Sequence, residues 1–295
     1  MSVLFGRAPG KVNACLFVGF PGADGLHPLV SVVQPLSLAD ELTLAPAPRA
    51  PGDEVACPGV KGPNLAARAM SAYRAASGWQ GPPQRLEIAK HVPVAAGMGG
   101  GSADAAAALR MMATAAGRPG DPAATALAPS LGSDVPAQLL ARRCLVSGVG
   151  EVVEILPDPP PGAVLVLPSD EQLATSRVYA IFDSFGGGRA TGELAELAER
   201  VRSAGGGELP AGLRHNDLAE AAIAACPSIA TALDDARGTG ADHAMVSGSG
   251  PTVVAFFDGD DGLARARAAR RALVGHPRAV VAEPVDGGFA APRAE

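Results

Sequence analysis

The sequence predicts an α+β fold in two domains, and three observations carry that expectation. Alanine- and leucine-rich stretches of helical period alternate with short runs of β-branched residues bounded by Gly and Pro. At 295 residues, 47% apolar and 18% charged, the chain can bury a full core and divides most naturally into two domains. The run Pro157-Asp158-Pro159-Pro160-Pro161-Gly162 is the densest set of helix and strand breakers in the sequence, which places the boundary between residues 1–157 and 158–295.

In chain order, Val12-Asn13-Ala14-Cys15-Leu16-Phe17-Val18 reads as a strand leaving a bend at Ala8-Pro9-Gly10. Residues 30–44 supply two extended segments broken by Pro35, and the Pro- and Gly-rich stretch 45–62 reads as a loop or weak hairpin. Asn64 caps a helix to about Ser77 with Leu65, Ala69 and Tyr73 on one face. Residues 86–89 form a strand, 122–128 a short helix, and 145–156 a hairpin turning at Gly148-Val149-Gly150. Beyond the boundary come a strand at 163–167 and helices at 176–182, 189–207, 218–225 and 229–236. Strands at 244–246, 252–257 and 279–285 follow, with an arginine-rich amphipathic helix at 263–273 between the last two. The strands are expected to be antiparallel, and the sequence holds no internal repeat.

Pro93-Val94-Ala95-Ala96-Gly97-Met98-Gly99-Gly100-Gly101-Ser102-Ala103-Asp104 joins a glycine loop to the strong helix former at 105–112. Glycines at positive φ turn several amides toward one point, and a helix start adds unpaired donors and about half a positive charge. That combination suits a phosphate. A plain turn capped by Ser102 would use the same residues without a ligand. No Lys-Ser or Lys-Thr follows the glycines, which excludes a Walker A loop, and the Gly97-x-Gly99-x-x-Ser102 spacing with no suitable acidic residue about 20 positions on disfavours a Rossmann turn.

A net charge of −6 with interspersed signs excludes a basic stripe, so nucleic acid is not expected as a partner. No apolar run approaches the roughly 18 residues of a membrane span, and no secretory signal is read at the start. Cys15, Cys57, Cys144 and Cys226, like the five histidines, are scattered, so a cytoplasmic enzyme without a structural metal is expected. The 24 basic residues comprise 21 Arg and 3 Lys, and Asn occurs only at 13, 64 and 216. This reads as base-composition drift that spared the rare types where chemistry needs them, and it singles out Lys11 and Asn13.

Three glycine-bearing segments, Ala8-Pro9-Gly10-Lys11-Val12-Asn13, the loop at 93–104, and Val246-Ser247-Gly248-Ser249-Gly250-Pro251-Thr252, resemble in order and content the three motifs of the GHMP small-molecule kinases. Asp24-Gly25-Leu26-His27-Pro28-Leu29, Leu131-Gly132-Ser133-Asp134-Val135-Pro136 and Asn216-Asp217-Leu218 resemble segments of the branch that acts on a cytidine-diphosphate-linked alcohol. The resemblance implies an N-terminal nucleotide domain, a smaller ferredoxin-like C-terminal domain and an active site in the cleft between them. It implies ATP and Mg²⁺ as cofactors, a small-molecule cytidyl diphosphate substrate, and a monomer or weak homodimer.

Asp134 would then be general base and Lys11 its cationic partner. The whole stretch from Pro93 to Asp104, with Gly248 and Ser249, would hold the nucleotide, and Ser102 would offer a hydroxyl to the metal. Asn13, Leu26, His27 and Tyr179 would meet the substrate, with His27 reading the cytosine edge and Tyr179 covering one face of the base. Leu26 stands where that branch has tyrosine, Ala95 where it has glycine, and Arg142-Arg143 where it has a small turn. Two other readings use the same residues: a GHMP kinase of a different alcohol, and a nucleotide-binding scaffold without catalysis.

Overall fold

A computed structural model describes residues 2–60, 62–94, 96–204 and 207–294. The first half contains β1 (Leu4–Val18), β2 (Leu29–Pro46), β3 (Glu54–Ala56), α1 (Leu65–Ser77), β4 (Gln84–Ala89), α2 (Gly100–Ala115), α3 (Pro122–Leu131), α4 (Val135–Leu140), β5 (Cys144–Ser147) and β6 (Val152–Ile155). The second half adds β7 (Gly162–Leu167), α5 (Thr175–Ser184), α6 (Thr191–Ala204), α7 (Ala219–Ala225), α8 (Ser228–Gly238), β8 (His243–Val246), β9 (Val253–Asp258), α9 (Gly262–Ala272), β10 (Val280–Ala282) and β11 (Arg293–Ala294).

Two sheets organise these elements. One has seven strands in the order β11-β1-β2-β4-β3, with β5 and β6 branching from β2. The other has four strands in the order β10-β7-β9-β8, every pair antiparallel. Numbered within itself the second sheet reads 4-1-3-2 with helices after its first and third strands, a ferredoxin-like arrangement, so the predicted α+β class holds. Among the named strands of the described residues only β3 and β4 pair in parallel, and β3 lies inside the stretch read as loop or weak hairpin.

Two sequence expectations are corrected in the first sheet. Ala8-Pro9-Gly10 is no bend before a strand, because β1 runs through it and absorbs the irregularity as a register shift between Pro9 and Lys11. Nor does Pro35 divide residues 30–44. β2 is one strand of 18 residues, and Pro35 lies opposite Lys11 at that same shift. There β2 passes from its pairing with β5 to its pairing with β4, and the gap is filled from the second half by Ser37 N–H to the Glu283 carbonyl (2.8 Å) and Val285 N–H to the Pro35 carbonyl (3.1 Å). A proline is tolerated where the ladder changes partner.

The helices follow their caps. Asn64 Oδ1 accepts from Ala66 N at 2.8 Å, and left-handed Gly78 closes α1, whose buried face is Ala66, Ala69, Met70 and Tyr73. α2 is buried almost all round, its alanines admitting the sheet, α1 and α4 at close range. α6, although in the second half of the chain, lays Leu194, Leu197, Ala198 and Val201 over Cys15, Phe17, Val30 and Val32 of the first sheet. Val12, Leu36, Val92 and Met98 meet Val164, Val166, Met245 and Val254 in one shared cluster. That cluster joins the two sheets beneath the site.

Candidate active site

Lys11 and Asn13, two positions apart in β1 just past the register shift after Pro9, project to the same face of the strand. Lys11 is 5% exposed and donates from Nζ to Asn13 Oδ1 at 2.8 Å, and Asn13 Nδ2 donates in turn to Ser31 Oγ at 2.7 Å. Ser31 Oγ donates to the Cys15 carbonyl at 2.7 Å, so the ammonium ends a chain of fixed dipoles. Asp134 approaches from the start of α4, with Oδ2 3.7 Å from Lys11 Nζ and its side chain 40% exposed. It holds the N-cap position of α4 yet makes no capping bond, so the carboxylate is not consumed by its own helix. Arg110 of α2 donates from Nη1 to the Gln138 and Leu139 carbonyls at 2.7 and 3.2 Å, clamping the far end of this six-residue helix to the helix of the glycine loop.

The glycine loop lies against the same pair. Lys11 N–H donates to the Met98 carbonyl at 2.9 Å. Gly99 is the left-handed N-cap of α2 with no side chain capping it, which leaves the amides of residues 100–102 open, and Ser102 sits within the first helical turn instead of capping it. A Cβ on Gly99 would stand 3.2 Å from the Lys11 side chain and 3.4 Å from Asp134 Oδ2. One on Gly97, at φ +74°, would stand 2.7 Å from the Gly250 carbonyl oxygen. Only glycine lets the second and third motifs touch.

Asn216 secures the third motif. Its Nδ2 donates to the Val246 and Gly248 carbonyls at 2.9 and 2.7 Å, and its Oδ1 accepts from Leu218 N–H at 2.9 Å. Asp217 accepts both Arg189 Nε and Nη2, and Val18 N–H besides, which ties the loop before α7 to the end of β1 and holds its carboxyl down at about 2 against the effect of burial. Ser249 Oγ lies 3.0 Å from Thr175 Oγ1 at the start of α5.

A pocket of about 330 Å³ opens beside the loop. Pro93, Val94, Ala96, Gly97, Met98, Gly99, Gly100, Gly101, Ser102 and Asp104 line it, and Ala95 lies outside the described residues. Met98 packs its side chain into the core although it lines the pocket, and Ala103, expected to hold the nucleotide, is buried in the core and is not part of this wall. Asp104 is 4% exposed and accepts from Lys90 Nζ at 2.7 Å, with Asp40 on the other side of the same ammonium. Burial pushes Asp104 up to about 7, Lys90 opposes the shift and Asp40 adds to it.

Lys90 and the opposite wall, Cys57, Val60, Pro63, Asn64 and Leu65, escaped the sequence reading. The signal for Lys90 was present, because the scarcity of Lys and Asn that singled out Lys11 and Asn13 applies equally to Lys90, Asn64 and Asn216. Each of them lines or braces this site.

On the other side of Asp134, His27 is 8% exposed, with Nδ1 2.8 Å from the Gly19 carbonyl and Nε2 3.3 Å from Asp183 Oδ1. Both ring nitrogens therefore have protein partners. Tyr179 packs on His27 with ring centroids 5.0 Å apart, and burial, with the Asp134 charge adding to it, pushes its hydroxyl up to about 12. Leu26, next to His27 in sequence, stands 51% exposed, and Phe20 and Phe185 are exposed as well. Among the described residues no group of three or more His, Cys, Asp or Glu is placed to hold a metal ion. Ser102 lines the pocket beside the glycine loop.

Comparison with known proteins decides the family. Residues 64–142 match the GHMP kinases N terminal domain and residues 194–275 the GHMP kinases C terminal. The chain belongs to the GHMP kinases. It is 40% identical over 292 residues to 4-diphosphocytidyl-2-C-methyl-D-erythritol kinase of Nocardioides sp., covering 95% of this chain and 97% of that one. It is 41% identical over 266 residues to the enzyme of the same name from Hyphomonas neptunium, covering 86% and 87%. A crystal structure of 4-(cytidine 5'-diphospho)-2C-methyl-D-erythritol kinase superposes with a TM-score of 0.76 at 32% identity, covering 95% of this chain and 98% of that one. Homoserine kinase from Cytophaga hutchinsonii, at 15% identity and a TM-score of 0.68, shares the fold. The chain is accordingly a kinase with ATP as phosphate donor, and no helix among the described residues is long and apolar enough to cross a membrane.

Proposed function

We propose that this GHMP kinase transfers the terminal phosphoryl group of ATP to the tertiary 2-hydroxyl of 4-diphosphocytidyl-2-C-methyl-D-erythritol, a step toward isoprenoid precursors that does not pass through mevalonate. The observation that carries this reading is the pairing of Lys11 and Asp134 at 3.7 Å beside the uncapped N-terminus of α2. The names of its relatives at 40% and 41% identity support the choice of alcohol.

In this reading Asp134 Oδ2 takes the hydroxyl proton as the oxygen attacks, a contribution of about 10² to 10⁴ in rate. Lys11 Nζ, oriented by Asn13, faces the oxygen on which charge develops. Asn13 keeps one amide N–H for the substrate. The amides of Gly100, Gly101 and Ser102 cradle the phosphates, with Gly248 and Ser249 closing over them from the third motif. Mg²⁺, held by Ser102 and by the phosphates themselves, would neutralise charge on the β- and γ-oxygens. Leu26 and Tyr179 flank the cytosine.

We take residues 1–157 as the nucleotide domain and 158–295 as its partner, in a cytoplasmic enzyme that is a monomer or weak homodimer. A coupled assay of ATP consumption over diphosphocytidyl-methylerythritol, mevalonate and homoserine tests the proposal. Turnover on the first and negligible turnover on the others is expected. Turnover on another alcohol alone would promote the second reading, which the exposed Leu26 favours. ATP binding without transfer to any of the three would promote a scaffold, for which Lys11 and Asp134 have no use.

A further inference from the structure

Arg142 and Arg143, the pair that replaces a small turn ahead of β5, part company in the structure. Arg142 reaches Asp158 on the surface at 3.7 Å, whereas Arg143 is buried to 4% exposure at the seam between the two sheets. Among the described residues no carboxylate lies within ion-pair distance of it, and its Nη1 and Nη2 share a single acceptor, the Gly207 carbonyl, at 3.3 Å each. Arg143 faces a cavity of about 60 Å³, several times the roughly 10–15 Å³ that one water needs.

A second guanidinium, Arg214, lines the same cavity and is committed to Asp258 at 2.7 Å, so those two charges cancel. Gln34, 4% exposed, completes the polar lining. Its Nε2 donates to the Pro35 carbonyl at 2.9 Å, while its Oε1 has no donor among the described residues. Glu208, exposed at the rim, pairs with neither arginine. A buried cation without a counter-charge and a buried acceptor without a donor therefore line one cavity, and each is costly to leave unpaired.

The geometry points to a second binding site, distinct from the glycine loop, that takes one phosphate group. The P–O⁻ oxygens accept from the N–H groups of Arg143 that Gly207 leaves unused, and the remaining P–O–H donates to Gln34 Oε1. At neutral pH inorganic phosphate carries both functions, since even its dianion keeps one P–O–H, whereas a phosphate ester, with a second pKa of about 6, keeps a P–O–H only in its monoanion. A carboxylate would satisfy the arginine and leave Gln34 unpaired. Ala14, in the β1 register shift next to Asn13, forms part of the wall, so an occupant would sit directly behind the strand that carries Lys11 and Asn13.

The test is calorimetric titration of the full chain, its nucleotide site first saturated with a non-hydrolysable ATP analogue, with inorganic phosphate, diphosphate and glycerol phosphate in separate runs. One saturable event is expected, weakened at least tenfold in Arg143→Met, with a melting temperature in the absence of phosphate no lower than that of the parent. Preference for inorganic phosphate would assign the free anion, and preference for glycerol phosphate an ester headgroup. No saturable binding of any of the three, or binding unchanged by Arg143→Met, overturns the site. If that variant fails to fold, tungstate soaked into crystals of the unaltered protein decides: heavy-atom density within hydrogen-bond reach of Arg143 supports the site, and density confined to the glycine loop overturns it.

Discussion

On the donor side of the cleft the working groups are backbone amides, held by glycines whose missing Cβ atoms let three loops touch, while on the acceptor side they are side chains, some buried, as Asn13 and His27 are, and some standing in solvent, as Asp134 and Leu26 do. Gly97 and Gly99 tolerate no larger residue without moving Ser247, Gly250 or Lys11. Leu26, Phe20 and Phe185 are each more than 40% exposed and could change with little strain on the fold. The contrast separates two kinds of information. The donor side fixes the reaction class, because its geometry is shared with the core, and the acceptor side is free to select the alcohol.

The largest effect should come where the two sides meet. Asp134→Asn is expected to lower turnover by about 10² to 10⁴ while nucleotide affinity changes little, measured by steady-state kinetics beside fluorescent-nucleotide binding. Equal loss of both would return Asp134 to a structural role. Next, Gly97→Ala forces a side chain to φ +74° against a backbone oxygen 2.7 Å away and should cost about 1–3 kcal/mol in chemical denaturation, with weaker ATP binding. Gly101→Ala meets no atom within 4 Å and should leave stability unchanged. If the two behave alike, the donor loop is not held by contact with the third motif.

A smaller effect follows from Asp104. Its carboxyl is raised to about 7 by burial, so the folded state holds a proton that the unfolded chain releases near 4. Its contribution to stability is present below the unfolded pKa and lost as pH rises through the folded one. Denaturation midpoints should therefore decline between about pH 4 and 7, and Asp104→Asn should flatten that decline by about 1–3 kcal/mol. A pH profile unmoved by the substitution would place the proton elsewhere. Leu26→Tyr should act least. An aromatic face is worth about 0.5–1.5 kcal/mol, so KM for the cytidyl substrate should fall roughly two- to tenfold with KM for ATP unchanged. No change in either constant would remove Leu26 from the base pocket.

Much of the donor side was legible because its signals are local. Glycine spacing, the helix it opens, the Asn64 cap and the hairpin at 148–150 are each specified by neighbours in sequence. The acceptor side was less so: His27 and Tyr179 do meet, but nothing local announced that the Gly19 carbonyl and Asp183 occupy both nitrogens of the imidazole. Lys90 was missed because a lone lysine at a strand end looks solvated until Asp40 and Asp104 arrive from elsewhere. The two-residue β11 and the three-residue β3 are too short to show a period of two. The placement of α6 over the first sheet is a matter of connectivity on which its own amphipathic face is silent.

By itself the sequence determined most of the helices, the longer strands in part and the phosphate loop, since caps, glycines and hydrophobic period act within a few residues and need no partner. Only the tertiary structure decided that Pro9 and Pro35 fall at one register shift, that Asn13 orients Lys11, and that Asp134 leaves its helix uncapped to face that ammonium. Those outcomes depend on strands and helices separated by up to 123 positions, the distance from Lys11 to Asp134, and a charge is positioned by whatever the folded chain sets around it.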